Sequence, residues 1–279
     1  MKKWKYIIAP KTRLFDLPLR EIWQYRGMIC MLVKRNYQIQ YKQTILGPGW
    51  MILAPIFSSG LFSFVFGYVG QFSSDGIPYF LFYLSASILW GFFAGCVERN
   101  TGIFLDNAYL FGKVYFPRMV VPLANVIFEL VRFLIQFLVC CVVGLIFLFR
   151  GQMSFTGGYL FLLPLLVLES GLLGMAIGMV VSSLTTRYRD LSHLVRLGMQ
   201  LLMYASPVLY PVSQLPSELQ KLVLLNPVSP FIEAFRYSMT GSGTIHWGYL
   251  GYSTAVTILI LVGSVVLFNQ TEKTFIDIV

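Results

Sequence analysis

Long stretches of this chain contain no formal charge, and this feature limits its fold more than any other. Lys, Arg, Asp and Glu are absent from Gln43 to Ser74, from Gly76 to Val97 and from Tyr237 to Thr271. Between 119 and 149 only Glu129 and Arg132 interrupt, and between 158 and 185 only Glu169. About 20 apolar residues in a helix cross a bilayer core, and a helix satisfies its own backbone N–H and C=O groups. These five windows predict crossings at 50–70, 79–97, 119–149, 158–185 and 249–268, and a sixth is expected at 194–212, which begins at its charged edge near Arg196. The third and fourth exceed the minimum length, which predicts tilt or extension beyond the bilayer.

Composition excludes the soluble alternatives. Of 279 residues, 57% are hydrophobic and 12% charged, against about 25% charged in a soluble domain. A surface with half the usual charge cannot be covered by solvated groups. Disorder and a soluble nucleic-acid-binding fold fall with it.

The net charge of +9 then becomes a question of placement. With the N-terminus inside, ten Lys/Arg lie in 1–47. Three more lie in 98–118, three in 186–196 and one in the tail. Outside there are only Arg150, Lys221 and Arg236. Seventeen against three, with Arg132 inside a span, predicts both termini in the cytoplasm. The basic excess serves orientation and attraction to anionic inner-leaflet lipids, with no nucleic-acid partner. No cleavable signal is expected, because Tyr6-Ile7-Ile8-Ala9 is too short an apolar run after the first lysines. Cys30, Cys96, Cys140 and Cys141 have no ligand or disulfide spacing and read as isolated thiols.

Two segments outside the spans carry information. In 20–42, Ile22, Tyr25, Ile29, Leu32 and Val33 recur near helical spacing, with Arg26, Lys34, Arg35 and Lys42 as a basic component. This predicts an amphipathic helix in the cytoplasmic interface, ended by Gly47-Pro48-Gly49. The segment 211–248 is semi-apolar and punctuated by prolines at 211, 216, 227 and 230. It predicts two short re-entrant helices on the outer side. The expected fold is thus all-α and membrane-integral, one domain over 1–279. A cytoplasmic segment 1–47 leads into the membrane domain 48–270. The external segment 211–248 lies within that domain, and 271–279 is a cytoplasmic tail.

The familiar catalytic signatures are missing. No G-x-x-x-x-G-K-[ST] occurs; Asn107 stands five before Gly112 in the sole Gly-Lys pair, so no ATPase site is expected on the chain. There is no H-E-x-x-H, no G-x-S-x-G and no metal site; His193 and His246 are far apart. Glu129 and Arg132 stand at i and i+3 and can pair, and Glu169 could face them from the next helix. Such intramembrane charges are expensive and commonly functional; here the alternatives are a self-satisfied orienting pair and a proton relay. Aromatics make up 16% of the chain. Phe57, Phe62, Phe64, Phe66 and Tyr204 sit well inside spans, where they either pack or line a path for sugar rings, which stack on aromatic faces.

Three motifs in order resemble one family, the transmembrane subunit of type-2 ABC exporters for cell-surface polysaccharides (O-antigen, capsule and teichoic acid). The first runs Tyr41-Lys42-Gln43-Thr44-Ile45-Leu46-Gly47-Pro48-Gly49-Trp50, with Gln40 where that family usually has Arg. The second is Lys113-Val114-Tyr115-Phe116-Pro117-Arg118. The third is Tyr188-Arg189-Asp190-Leu191, followed by Ser206-Pro207-Val208-Leu209-Tyr210 and Leu225-Asn226-Pro227.

The resemblance implies a homodimer with two separate ABC ATPase subunits beneath it, which bind the ATP and Mg. The cargo would be lipid-linked polysaccharide crossing a bacterial cytoplasmic membrane. Asp106, Lys113, Phe116, Pro117 and Arg118 would belong to a coupling loop, and Arg187, Arg189 and Asp190 to a second ATPase contact. Arg35, Tyr41, Lys42 and Trp50 would border the interface helix where substrate enters. The segment 211–237 would gate the outside, and Phe57, Phe62, Phe66 and Tyr204 would line the channel. A permease for a drug or other small substrate is the near alternative. A membrane-embedded glycosyl- or acyltransferase and a proton-driven carrier are more distant ones.

Overall fold

The computed structural model describes residues 19–114, 116–152, 159–188 and 190–275. The described residues form helices and connecting turns, with no strand among them. Two helices come first, α1 (Leu19–Gln24) and α2 (Arg26–Tyr41). The expected interface helix is therefore broken at Tyr25. Its apolar positions are already used within the chain: Ile22 and Leu32 are buried, and Tyr25, Ile29 and Val33 pack beside them.

Among the described residues, five helices are long and apolar enough to cross a membrane. The first starts at the turn Gly47–Gly49, where Gly47 adopts φ +51°. It continues as α3 (Trp50–Phe62) and widens into a π-helical stretch, Ser63–Val69. The others are α4 (Tyr79–Thr101), α7 (Val120–Phe149), α8 (Leu162–Thr185) and α12 (Trp247–Phe275). At 1.5 Å per residue, the 30-residue α7 spans about 45 Å, so the third span does exceed a core of about 30 Å. Between α4 and α7 lie two short helices, α5 (Ile103–Asp106) and α6 (Ala108–Lys113).

α4 is apolar on all sides and is the buried centre, as expected of a helix without a polar face. α8 crosses it closely because Gly174 and Gly178 present no side chains. A Cβ on Gly174 would lie 2.8 Å from the Phe93 carbonyl oxygen, and one on Gly178 2.8 Å from that of Val97. Small residues at such contacts let backbones approach where lipid gives no hydrophobic drive.

α7 buries one stripe, including Val121, Ala124, Phe128 and Phe133. Its opposite face, Ile127, Val131, Leu134 and Leu138, is exposed. Pro55 leaves α3 without the N–H that would bond the Met51 carbonyl four residues back. The Gln136 side chain of α7 donates to that carbonyl at 3.0 Å.

Two expectations change in detail. The segment predicted as a crossing at 194–212 holds a helix of only 14 residues, α9 (Leu191–Tyr204). Pro207 and Pro211 follow it, and a proline disfavours helix in the residue before it. The chain then turns inward, burying Ser206, Pro207, Val208, Leu209 and Val212. The external segment contains two short helices, α10 (Ser217–Leu225) and α11 (Val228–Thr240). α11 is almost wholly buried, with Phe231, Ile232 and Phe235 in the main core beside α4 and α8.

Candidate functional site

The chemistry-bearing residues gather at one end of the bundle and along one seam inside it. At the Lys/Arg-rich end, the α5–α6 loop is built on aromatic contacts. Phe104 lies 4.7 Å from Phe268 of α12 and 6.1 Å from Phe111, and Phe111 lies 5.7 Å from Phe116. Arg118 is buried beneath them. Its guanidinium sits 5.1 Å over the Phe111 ring, donates from Nη1 to the Glu272 carbonyl at 2.9 Å, and lies 3.6 Å from the Glu272 carboxylate. Arg118 thereby ties the loop to the far end of α12.

This geometry divides the five residues assigned to coupling. Phe116 and Arg118 are buried and shape the loop from within, and Pro117 is half-buried beside them. Asp106 and Lys113 face outward. Sequence reasoning missed Tyr109, the most exposed aromatic among the described residues of this loop, whose hydroxyl accepts a hydrogen bond from Lys113 and whose ring carries the ammonium at 3.9 Å. Its spacing of four from Lys113 on a helix was the available signal. Arg35 donates from Nη2 to Asn107 Oδ1 at 2.8 Å and so joins α2 to the same loop.

The second assigned contact stands next to the first, since Thr185 donates to the Thr101 carbonyl at 3.0 Å where α8 and α4 end. Arg187 and Asp190 are exposed there. Arg189 lies outside the described residues. Of the residues placed where substrate enters, Lys42 and Trp50 are exposed, Arg35 is half-buried and Tyr41 is buried.

Along the seam between α4 and α7, Glu129 is 2% exposed and bridges two arginines. Arg99 Nε approaches it at 2.9 Å and Arg132 Nη1 at 3.1 Å. The expected pair of Glu129 and Arg132 is present, but its third member is Arg99. Glu169 stands apart on α8 and accepts the Thr254 hydroxyl of α12 at 3.0 and 3.1 Å.

The sequence reading placed Arg99 in a loop. Because α4 runs on to Thr101, Gly91, Gly95 and Arg99 share one face at intervals of four. Gly91 offers its carbonyl to Arg132 at 2.9 Å. A Cβ on Gly95 would sit 2.5 Å from Glu129 Oε2, so that glycine makes room for the carboxylate. Arg99 also donates to Gln40 Oε1, in the position where the resemblance expects Arg, and lies 4.2 Å over Phe128. A carbonyl-type oxygen at position 40 suits a neighbouring guanidinium, whereas a second arginine there would repel it.

The four aromatics assigned to a channel also separate. Phe62 and Phe66 turn into the bundle, 6.2 and 6.4 Å from Tyr83. Phe57 and Tyr204 are exposed on the single chain. α9 buries only Met199 and exposes Leu194, Leu197, Leu201 and Tyr204, beside a second stripe of His193, Arg196 and Gln200.

At the opposite end, Arg236 had been counted as an ordinary loop charge. It is instead 2% exposed, 2.8 Å from Glu233 on the same helix, and 3.8 Å over the Phe82 ring. It also donates to the Pro207 carbonyl. The i,i+3 spacing of the two charges was visible in the sequence. The Arg236 guanidinium, held in place by Glu233, thus fastens α11 to α4 and to the turn that ends α9.

Comparison with known proteins bears on this arrangement. Residues 28–240 match the family model described as ABC-2 type transporter. An O-antigen export system permease protein, RfbA, of Klebsiella pneumoniae is 26% identical over 253 residues, covering 90% of this chain and 94% of that protein. The RfbA protein of Myxococcus xanthus is 28% identical over 221 residues, covering 78% and 82%.

Proposed function

The chain belongs to the ABC-2 type transporter family, and on that premise we propose that it is the permease subunit of an ATP-driven exporter of lipid-linked cell-surface polysaccharide. The observation that carries this reading is the end-to-end match to relatives named as O-antigen export permeases. The chain is a multi-pass integral membrane protein of the bacterial cytoplasmic membrane, with both termini inside as the Lys/Arg distribution favours.

ATP and Mg2+ belong on two separate ATPase subunits. These dock where Asp106, Tyr109, Lys113, Arg187 and Asp190 are exposed, and Arg189 lies between the last two in sequence. Arg118 passes the stroke to α12. α9 and the inward turn at 205–212 together make the sixth crossing. α10 and α11 form the external gate, held by Glu233 and Arg236.

Two copies assemble around the channel. α9 favours this, because its polar stripe of His193, Arg196 and Gln200 needs water or a partner inside the bilayer rather than lipid. Phe57 and Tyr204 stand on such open faces and remain channel-wall candidates, whereas Phe62 and Phe66 serve to hold α3 on α4.

The test is co-expression with an ABC ATPase subunit of an O-antigen export system. The expected result is a stable complex of both subunits whose ATPase-dead form leaves glycan on the cytoplasmic side. Full glycan export by the permease alone, or no association with any ATPase, would overturn the reading.

A further inference from the structure

At the end of the bundle remote from the Lys/Arg-rich loops there is an open cavity of about 300 Å³. Its wall comes from three separate parts of the chain: Tyr159 before α8, Tyr237 of α11, and the turn Gly243, Thr244, Ile245 with Trp247 at the start of α12. This volume matches the lower end of small-ligand sites. Tyr159 sits 5.5 Å from Tyr237 and 6.1 Å from Trp247, so three aromatic rings are collected in one place. Trp247 remains half exposed.

Among the described residues the lining has no charged side chain, which disfavours a phosphate or carboxylate ligand. It does offer hydroxyl-type partners. Thr244, in the lining, has its Oγ1 3.2 Å from His246 Nε2. Below the turn, Asp75 Oδ2 lies 3.9 Å from where a Cβ on Gly243 would be; Gly243 itself adopts φ +104°, which disfavours any side chain. Glu233 Oε2 lies at the same 3.9 Å, so two carboxylates stand behind the turn, outside the cavity's lining. Asp75 is itself oriented by the Ser213 hydroxyl, which donates to Oδ1 at 2.8 Å.

Neutral ligands that present apolar C–H faces to aromatic rings and hydroxyls to scattered acceptors are sugars. We infer that this cavity is a binding site for a single pyranose unit of a glycan on the outer face of the protein. The inference rests on the proposed export reading for its biological source of sugar, but the binding itself does not depend on ATP or on transport. The site lies off the α3 and α9 faces assigned to the channel. It would hold the emerging chain weakly as it leaves, in contact with the buried α11 of the gate.

The test uses the full chain in lipid nanodiscs, with methyl glycosides of glucose, galactose, mannose and N-acetylglucosamine as probes. Saturation-transfer NMR is read on wild type, Trp247→Phe, Trp247→Ala and Asp75→Asn, with choline as a further probe. At least one glycoside is expected to bind through its ring C–H face. Trp247→Phe should retain binding, and Trp247→Ala should weaken it roughly tenfold, about 1.4 kcal/mol, within the worth of one aromatic contact. Asp75→Asn, behind the turn and outside the lining, should leave binding unchanged.

No glycoside signal on the wild type, or signals unchanged in Trp247→Ala while the protein retains its melting temperature, would overturn the inference. Binding of choline in place of sugars, lost in Trp247→Ala, would overturn it in favour of a cation cage. An export assay in cells separates the two readings: glycoside binding without any ATP-driven export leaves this site standing and removes the proposed function.

Discussion

Pro55 and Gln136 should be energetically coupled although they lie on different helices and do not need to touch. Pro55 removes the donor for the Met51 carbonyl, and Gln136 supplies one at 3.0 Å. Met51 is 2% exposed and Gln136 7%, so water is not a ready substitute. Gln136→Leu removes the donor and leaves a buried carbonyl unsatisfied, which costs about 1–3 kcal/mol. In a Pro55→Ala background, residue 55 regains its N–H and can bond Met51 within α3. Gln136→Leu should then cost much less.

The coupling energy in the double-mutant cycle should therefore be about 1–2 kcal/mol in the rescuing sense. In nanodiscs this reads as a melting shift of about 2–4 °C per kcal/mol for a chain of this size. The four proteins are compared by thermal melting followed by circular dichroism. Additive effects, with Gln136→Leu equally harmful in both backgrounds, would refute the reasoning. So would a Gln136→Leu protein as stable as wild type.

Three further outcomes follow from the same geometry. Glu129→Gln leaves Arg99 and Arg132 facing each other without their shared carboxylate. Because both arginines are about a quarter exposed, the expected loss is about 2–3 kcal/mol, below the full cost of breaking a buried pair, and it should exceed that of Arg132→Gln in the same melting assay. Gly178→Ala forces a Cβ to 2.8 Å from the Val97 carbonyl oxygen and should cost about 1–3 kcal/mol, whereas Gly144→Ala, which meets nothing within 4 Å, should be close to neutral. Phe62→Ala and Phe66→Ala should lower the melting temperature by several degrees, while Phe57→Ala and Tyr204→Ala leave it unchanged and act on glycan export measured at the cell surface.

Much of the architecture was legible in the sequence because burial in lipid removes charge in blocks. The charge-free windows gave α3, α4, α7, α8 and α12 almost to the residue at several ends, and the proline-rich stretch gave the short helices α10 and α11. What stayed hidden depended on partners across the bundle. Arg99 looked like a loop charge until α4 was seen to run one turn further, and Arg236 looked external until Phe82 and Glu233 were found around it. Glu169 was grouped with Glu129 because both are acidic and intramembrane. One-dimensional spacing within a helix could pair Glu129 with Arg132, but only the packing of α8 on α12 puts Glu169 against Thr254.

α9 shows why that limit falls where it does. Charge depletion identifies segments that lipid or protein surrounds, and it is weakest for a helix that faces water. α9 carries His193, Arg196 and Gln200 on one side and Leu194, Leu197, Leu201 and Tyr204 beside them, and it buries almost nothing within its own chain. A helix with both a polar and an apolar stripe unburied cannot lie wholly against hydrocarbon, since unpaired polar side chains there cost free energy. Nor can a 14-residue helix of about 21 Å cross a core of about 30 Å without the turn that follows it. Both shortfalls have one resolution. On the proposed reading, the polar stripe would face an aqueous path, the leucines beside it would meet a second copy with Tyr204 at the channel's edge, and the buried turn at Pro207, held by Arg236, would complete the crossing. The segment hardest to read from hydropathy is therefore the one whose surroundings the single chain does not supply.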